Sequence, residues 1–420
     1  MSERPRSVPV LGAPMDTTFR PPGSKSETIR ALAAGALAEG RSHLYGPLRA
    51  DDTMAMAAAL EAMGVETNSD GDPWTVDGGG GRLEAGATLD AVESGLSARI
   101  LIAMAGSAPG TTRVEGRGRL PERPMAGIVE VLRSQGVEVD RDHIPLEVTG
   151  RGNLWGGYVT IDCSESSQFA TAVMLVSPVM EKPCVVELSG LTGSSGYLEG
   201  TVSVMRRFGA SIEPTVTGYE IANTGYRSAD LVVEPDASAA VYPMAMAAIS
   251  RGRVVIDGLG SSSWQPDLVV ARVLEQMGCA INQGDAQTVV DATGVDLTGV
   301  DIDMSDAPDG ALAVGVVSLF ANSPTRLRGL GSLRHKESDR LEAISSEMRR
   351  LGGNVEVSRD GLMIEPSSLH GGVVESHGDH RIAMAMACAG VIVEGVAISS
   401  PHVVDKTWPA FWDFLEFLAA

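Results

Sequence analysis

The sequence predicts an α/β protein of two domains, each assembled from three copies of a repeat of about 70 residues. Two series of landmarks recur along the 420 residues at this interval, and both combine helical and strand patterns. The composition, 44 % apolar and 21 % charged, is that of a globular chain and excludes wholesale disorder. The repeats therefore define the architecture that we expect.

The first series consists of amphipathic stretches that end in glycine and run into a short strand, as in IVEVLRSQGVEV and VARVLEQMGCAI. Glycine readily adopts the positive φ of a helix C-cap, so each copy predicts a helix that stops at the glycine. The glycines are separated by 72, 73, 69 and 74 residues and stand at Gly64, Gly136, Gly209, Gly278 and Gly352.

The second series has a polar start, then a helix rich in Ala and Met, then an apolar strand. These helices are apolar nearly all round, which predicts that they are buried against sheets. Their starts are separated by 71, 70, 71, 71 and 71 residues and stand at Ser26, Ser97, Ser167, Ser238, Asp309 and His380.

Six repeats divide most simply into two domains of three. The stretches 21–23 and 234–236, which contain prolines, are the candidate joints. We expect one domain to span residues 23–236 and the other to combine residues 1–22 with 237–420.

Charge and cysteine usage restrict the partners and the compartment. The net charge of −21 repels nucleic acid and anionic membranes, so we expect neither as a partner.

The start of the chain does not resemble a signal peptide, and the longest apolar run, Ile382–Val393, is too short to span a bilayer. No cysteines form a C-x-x-C pair, which indicates a reducing, cytoplasmic compartment; they stand at Cys163, Cys184, Cys279 and Cys388.

Cations stand at several predicted helix starts, where the helix dipole disfavours them and attracts anions instead. Lys25, Arg99 and Arg381 are examples. The serines and aspartates at these starts can also be interpreted as simple N-caps, but that interpretation does not explain the cations. We infer that a small anion binds near these starts.

Further charged candidates lie in RLPERP, with Arg123, in RHKESDR, residues 334–340, and in DKTWP, with Lys406. Arginine suits bidentate contacts to carboxylate and phosphate, and Glu337 and Asp309 within this cationic set are candidates for proton transfer. The run RHKESDR can alternatively be a solvated helix face. The histidines of HGDH, residues 377–380, lack an obvious third metal ligand, so we expect no metal.

The motifs PPGSKSETIR, PERP, SSQF, RHKESDR, GDHRIAMAMA and DKTWP together resemble the EPSP synthase family, in the family's order and over nearly the whole chain. The resemblance implies the two-domain enolpyruvyl transferase fold, with six βαβαββ-like repeats arranged as two pseudo-threefold domains. It also implies transfer of the enolpyruvyl group of phosphoenolpyruvate to the 5-hydroxyl of shikimate 3-phosphate, with release of phosphate. This reaction belongs to aromatic amino acid biosynthesis and needs no cofactor. A sister enzyme that acts on UDP-N-acetylglucosamine uses a loop cysteine, for which Cys163 and Cys184 have no matching context.

The resemblance assigns site residues by matching position. Catalytic roles are implied for Lys25, Asp309, Glu337 and His380. Phosphoenolpyruvate binding is implied for Lys25, Arg123, Arg340, Arg381 and Lys406. Acceptor binding is implied for Ser26, Arg30, Ser166, Ser167, Gln168, Ser194, Tyr197, Asp309 and Lys336. Asp309 would take the proton of the attacking hydroxyl, and Glu337 with Lys25 would manage protonation of the methylene carbon. We expect a monomer whose partners are these two small substrates.

Two segments depart from the family pattern. Where the family reads roughly L-G-N-A-G-T-x-x-R, residues 92–99 read VESGLSAR, so Asn is absent, Leu96 takes the place of a glycine and Arg99 comes one residue early. We expect Leu96 to narrow the phosphoenolpyruvate pocket. Ser332 replaces an asparagine that contacts the shikimate ring. These departures leave two alternatives open: a paralogue that uses a related phosphorylated cyclitol acid in secondary metabolism, and a non-catalytic anion-binding relative.

Overall fold

The computed structural model describes residues 4–190 and 195–420, apart from the side chain of residue 195. The chain forms two compact units. The continuous unit is Gly23–Val233, and the discontinuous unit combines Met1–Pro22 with Glu234–Ala420. Residues 234–236 lie in the discontinuous unit because the Gln265 side chain donates hydrogen bonds to the carbonyl of Pro235 (2.7 Å) and the carboxylate of Glu234 (3.0 Å).

Each unit contains three inner helices that contact one another and are buried on nearly every side, as the sequence predicts. The inner helices are α1 (Lys25–Leu37), α3 (Gly95–Gly106), α5 (Gln168–Val176), α7 (Ala237–Ile249), α9 (Ala311–Ser318) and α11 (His380–Gly390). The outer helices are α2 (Asp51–Ala62), α4 (Ala126–Ser134), α6 (Ser195–Arg207), α8 (Val269–Gln276), α10 (Arg340–Arg350) and α12 (Phe411–Ala419). Short 3₁₀ turns cover Leu120–Glu122, Ser177–Val179, Pro266–Leu268, Gly331–His335 and Pro401–Lys406.

The strands of the continuous unit are β3 (Ala38–Tyr45), β4 (Glu66–Asn68), β5 (Trp74–Gly79), β6 (Thr88–Asp90), β7 (Pro109–Glu115), β8 (Glu138–Val139), β9 (Leu146–Arg151), β10 (Gly157–Asp162), β11 (Cys184–Ser189), β12 (Ile212–Pro214), β13 (Gly218–Ile221), β14 (Tyr226–Arg227) and β15 (Asp230–Val232). Those of the discontinuous unit are β1 (Arg6–Ser7), β2 (Asp16–Phe19), β16 (Arg253–Asp257), β17 (Ala280–Gln283), β18 (Gln287–Asp291), β19 (Asp301–Asp303), β20 (Thr325–Arg328), β21 (Asn354–Val357), β22 (Leu362–Glu365), β23 (Gly372–Val374) and β24 (Val396–Ile398).

One pairing rule repeats in all six sheets that the described ranges form. The strand that follows each inner helix (β3, β7, β11, β16, β20 or β24) pairs parallel with a neighbour on one side and antiparallel with a neighbour on the other. The antiparallel neighbour of β24 is β1, and the parallel neighbour of β16 is β2. The N-terminal segment therefore completes two sheets of the discontinuous unit. The sheets and buried helices confirm the predicted α/β architecture, with three inner helices in each of two units.

The glycines of the first series end their helices as predicted. All five have positive φ, between +80° and +111°. Three outer helices share a second feature, which was not predicted. In each, an arginine three residues before the glycine donates a hydrogen bond to a backbone carbonyl three residues after the glycine. The pairs are Arg133 with Val139, Arg206 with Ile212 and Arg349 with Val355.

Among the described residues, no helix is both long and apolar enough to cross a membrane.

Candidate active site

A buried arginine joins three carboxylates in the discontinuous unit. Arg340 donates from Nε to Asp379 Oδ2 (2.7 Å) and from Nη2 to Asp379 Oδ1 (3.0 Å). Its Nη2 also donates to Glu337 Oε2 (2.9 Å), and its Nη1 donates to Asp309 Oδ1 (2.7 Å). Burial disfavours the charge of Arg340, but the three carboxylates outweigh burial and raise its pKa. Arg340 therefore stays charged and holds the three carboxylates in one place.

Helix starts bring these groups together. The side chain of Asp339 caps α10 and so places Arg340 at the first position of that helix. The side chain of Asp379 caps α11 and accepts a hydrogen bond from the backbone N–H of Arg381 (2.9 Å). Asp309 lies just before α9. Asp379 lies within HGDH, residues 377–380, but no role was predicted for it, although its position beside the predicted His380 and Arg381 was a signal.

Three cations surround Asp309. Besides Arg340, these are Lys336, whose Nζ lies 3.6 Å from Oδ1, and Arg381, whose Nη2 lies 3.5 Å from Oδ2. Burial raises the pKa of Asp309, but Lys336, Arg381 and Arg340 together hold it well below the usual range. Asp309 is therefore a carboxylate at neutral pH.

Glu337 has cations at both of its oxygens. Its Oε1 lies 3.2 Å from Lys406 Nζ, and its Oε2 accepts from Arg340. The side chains of Glu337 and Lys406 are only 11 % and 8 % exposed. The alternative interpretation of residues 334–340 as a solvated helix face is therefore wrong for Glu337 and Arg340, because tertiary contacts bury them.

The two histidines of HGDH have different surroundings. His380, the first residue of α11, is buried, and its Nδ1 lies 3.6 Å from Asp379 Oδ1. His377 is partly exposed, and its Nε2 lies 2.9 Å from Glu347 Oε1. The structure thus places His380 beside the Arg340 cluster, through Asp379.

In the continuous unit, Lys25 begins α1 and its Nζ lies 3.0 Å from Asp52 Oδ2. Asp52 is on α2 and is 1 % exposed, and its other oxygen has no hydrogen-bond partner in the part of the chain that the structure describes. Asp52 was not predicted, because two aspartates at the start of an amphipathic helix resemble ordinary first-turn acids.

Arg30 is a buried cation bonded to neutral acceptors. It donates to the hydroxyl oxygens of Ser26 (2.9 Å) and Thr201 (2.9 Å) and to the carbonyl of Tyr197 (3.2 Å). Burial lowers the pKa of Arg30 to about 10, against the opposing effects of Tyr197 and Glu27. The predicted residues Ser26, Arg30 and Tyr197 therefore lie together. Nothing in the sequence pattern pointed to Thr201.

The start of α3 corrects one expectation. A Cβ atom on Gly95 would lie 2.5 Å from the guanidinium carbon of Arg123, so the bare backbone of Gly95 forms the wall beside Arg123. Leu96 packs in the hydrophobic core instead. Gly95 and Arg99 are four residues apart, as are the glycine and arginine of the family motif, so Arg99 does not come early. The expectation that Leu96 lies where the family has glycine was wrong.

The remaining predicted residues of this unit cluster at the start of α5. Ser166 Oγ accepts from the backbone N–H of Gln168 (3.2 Å), and Ser167 is the N-cap residue. The Gln168 side chain accepts from Arg99 (2.7 Å). Ser194 lies outside the described residues.

The cysteines are unsuited to nucleophilic chemistry. All four are buried and free. Burial, with a smaller contribution from Asp162, raises the pKa of the Cys163 thiol to about 11. The thiolate form that a catalytic cysteine needs is therefore disfavoured.

The repeated sheet-and-helix units, with cations and carboxylates gathered at helix starts, have the fold of the enolpyruvyl transferase class. Solved structures share the fold. EPSP synthase from Acinetobacter baumannii has a TM-score of 0.83 and 26 % identity, over 99 % of this chain and 98 % of that one. The enolpyruvyl transferase NikO from Streptomyces tendae has a TM-score of 0.80 and 17 % identity, over 100 % of this chain and 98 % of that one, which shows the fold alone.

Sequence comparisons identify the family within that class. The profile of EPSP synthase (3-phosphoshikimate 1-carboxyvinyltransferase) matches residues 11–415. The 3-phosphoshikimate 1-carboxyvinyltransferase of Methanoculleus marisnigri is 40 % identical over 412 residues, 96 % of each chain. That of Trichormus variabilis is 34 % identical over 415 residues, 97 % of each chain. The protein belongs to the EPSP synthase family and is a carboxyvinyl transferase.

Proposed function

We propose that this protein transfers the enolpyruvyl group of phosphoenolpyruvate to the 5-hydroxyl of shikimate 3-phosphate and releases phosphate. The main support is the buried cluster around Arg340, in which Asp309 and Glu337 are held among cations at short distances. Such a cluster can hold an anionic substrate and exchange protons with it. The names of the relatives at 34–40 % identity support the choice of acceptor.

Phosphoenolpyruvate carries a phosphate and a carboxylate, both of which suit arginine and lysine. We assign its binding to Lys25, Arg123, Arg340, Arg381 and Lys406. Lys406 Nζ lies 3.2 Å from Glu337 Oε1, and Arg381 Nη2 lies 3.5 Å from Asp309 Oδ2. An incoming anion therefore competes with these two carboxylates for their cations, which couples substrate binding to the proton affinity of the acids.

We assign the acceptor to two further groups. Ser26, Arg30 and Tyr197 lie together, and a buried guanidinium suits the ring carboxylate. The serines 166 and 167, with Gln168, stand at the start of α5, where backbone N–H groups favour the 3-phosphate. Lys336 and Ser194 complete the assignment by family position.

The chemistry balances as addition followed by elimination. A proton goes to the methylene carbon of phosphoenolpyruvate, and the 5-hydroxyl oxygen bonds to the adjacent carbon, giving a tetrahedral ketal. Loss of a proton from the new methyl group and of phosphate restores the alkene. In this proposal Asp309 takes the hydroxyl proton, Glu337 and Lys25 manage the methylene proton, and His380 supports the cluster through Asp379. Anionic substrate near Lys336 and Arg381 offsets their effect on Asp309, whose pKa they otherwise keep low.

Phosphate release from phosphoenolpyruvate, with product mass measured in parallel, tests the proposal. Release with shikimate 3-phosphate, and a product heavier by the enolpyruvyl group, would support it. Release only with another phosphorylated cyclitol acid would indicate the paralogue instead. Phosphoenolpyruvate binding by calorimetry without turnover would indicate a non-catalytic relative. Either of the last two results overturns the proposal.

We also propose that the protein acts as a cytoplasmic monomer without a nucleic acid or membrane partner. The net charge of −21 and the free, buried cysteines support this proposal. Sedimentation equilibrium at micromolar protein tests the monomer, and a concentration-dependent mass would contradict it.

A further inference from the structure

Glu347 is a buried carboxylate that the proposed mechanism does not use. It lies on α10, and its side chain is 1 % exposed. Its Oε2 accepts from the backbone N–H of Glu375 (3.0 Å) and from Arg350 Nε (2.8 Å). Its Oε1 lies 2.9 Å from His377 Nε2 and accepts from Ser346 Oγ (3.1 Å). A buried charge with this many partners is costly to disturb.

Two of these partners belong to the loop 375–378, which leads from β23 into α11. The next residue is Asp379, which bonds Arg340. Helix α10 therefore contacts this segment at two points, through Arg340 at one end and Glu347 at the other. Seven residues separate them, so they lie on the same face of α10, about 10 Å apart along its axis.

The loop between these points has an unusual backbone. His377 has a φ of +55°, in the left-handed region that residues other than glycine rarely adopt. Such a conformation persists when its surroundings hold it. The contact with Glu347 is one restraint, and Ser399 supplies another by accepting from the N–H of Ser376 (3.1 Å).

We infer that Glu347 is a positioning residue for the proposed reaction: it fixes the 375–378 loop and thereby the place of Asp379 beside Arg340. Burial opposes the charge of Glu347, but the hydrogen bonds from the loop and Arg350 lower its pKa on balance, so it stays ionised. Its titratable side-chain partners among the described residues are Arg350 and His377. The inference rests on the proposed function, because it assigns a role toward that reaction.

Three kinetic constants distinguish positioning from a purely structural role: kcat, KM for phosphoenolpyruvate and KM for shikimate 3-phosphate. Displacement of Asp379 disturbs Arg340 and Arg381, both assigned to phosphoenolpyruvate, but not the acceptor residues of the continuous unit. A loss of Glu347 therefore lowers kcat and raises KM for phosphoenolpyruvate, and leaves KM for shikimate 3-phosphate unchanged. A partly unfolded population would instead lower kcat alone and leave both KM values unchanged.

The experiment compares Glu347→Ala and Glu347→Gln with Glu342→Gln, an exposed glutamate on the same helix. We expect Glu347→Ala to lower kcat/KM for phosphoenolpyruvate by about 100-fold, the size associated with a misplacement of about 1 Å. Glu347→Gln keeps the shape of the side chain and one acceptor oxygen, so we expect kcat/KM for phosphoenolpyruvate to fall by about tenfold. For Glu342→Gln we expect no change in this constant. If Glu347→Ala does not fold, Glu347→Gln and His377→Ala carry the test.

Unchanged KM for phosphoenolpyruvate in the Glu347 variants would overturn the inference. If the wild type itself releases no phosphate with shikimate 3-phosphate, the proposed function fails separately. Calorimetric affinity for phosphoenolpyruvate then decides the inference: weaker binding by Glu347→Ala than by the wild type supports it, and equal binding overturns it.

Discussion

Arg340 and Asp379 form a two-bond contact, in which Nε and Nη2 of the guanidinium donate to the two oxygens of one carboxylate at 2.7 Å and 3.0 Å. Arg340 is the first residue of α10, Asp379 caps the N-terminus of α11, and both residues are buried. Because charge-assisted bidentate pairs are strong and directional, this contact orients the guanidinium that also bonds Asp309 and Glu337.

Asp379→Asn removes one charge from this contact while keeping its shape. Arg340 then keeps two carboxylates, so we expect the free energy of unfolding to fall by about 1.5–3 kcal/mol, the range for hydrogen bonds to charged groups. Urea denaturation measures the free energy of unfolding of each variant. Asp285→Asn, at an exposed aspartate, is the control, and equal stability of the two variants would contradict the prediction.

The low pKa of Asp309 predicts how acid affects stability. A carboxylate with a depressed folded-state pKa stabilises the protein above its unfolded pKa of about 3.9, and this stabilisation is lost as pH falls below that value. Between about pH 4 and pH 3 the unfolding free energy of the wild type should therefore fall more steeply than that of Asp309→Asn, by up to about 1.4 kcal/mol per pH unit. Urea unfolding at several pH values measures both slopes. Parallel slopes would show that Asp309 keeps an ordinary pKa.

Glu337→Gln and Lys406→Ala should separate proton transfer from binding. Glu337→Gln loses a proton-transfer group, so we expect kcat to fall by about 10²- to 10⁴-fold. Lys406→Ala loses a cation that binds substrate in both ground and transition states, so we expect mainly a higher KM for phosphoenolpyruvate. Phosphate-release kinetics give both constants. Wild-type turnover in Glu337→Gln would rule out its assigned role.

Gly95→Ala should displace the Arg123 side chain. The added Cβ would lie 2.5 Å from the guanidinium carbon, much closer than van der Waals contact. We expect KM for phosphoenolpyruvate to rise about tenfold, which corresponds to an interaction of about 1.4 kcal/mol. Gly12→Ala, where a Cβ would meet nothing within 4 Å, is the control. The prediction fails if Gly95→Ala has the KM of this control.

Much of the candidate site could be predicted because its residues stand at helix starts, where local sequence determines capping. Lys25, Arg340 and Arg381 lie at the first two positions of their helices. Asp52 could not be predicted, since its role depends on which helix packs beside Lys25. The mistaken position of Leu96 has a related cause: sequence alone did not show which residue of 94–99 faces Arg123.

The sequence by itself determined the repeat of about 70 residues, the buried helices and the glycine caps, because periodicity and φ preference act over short stretches of chain. Only the tertiary structure decided which distant elements pair. Strand β2 joins β16 more than 200 residues later, and Arg340 gathers carboxylates from two other helix starts. Such contacts form when the folded chain brings buried charges and strand edges to their partners, and no local pattern specifies them.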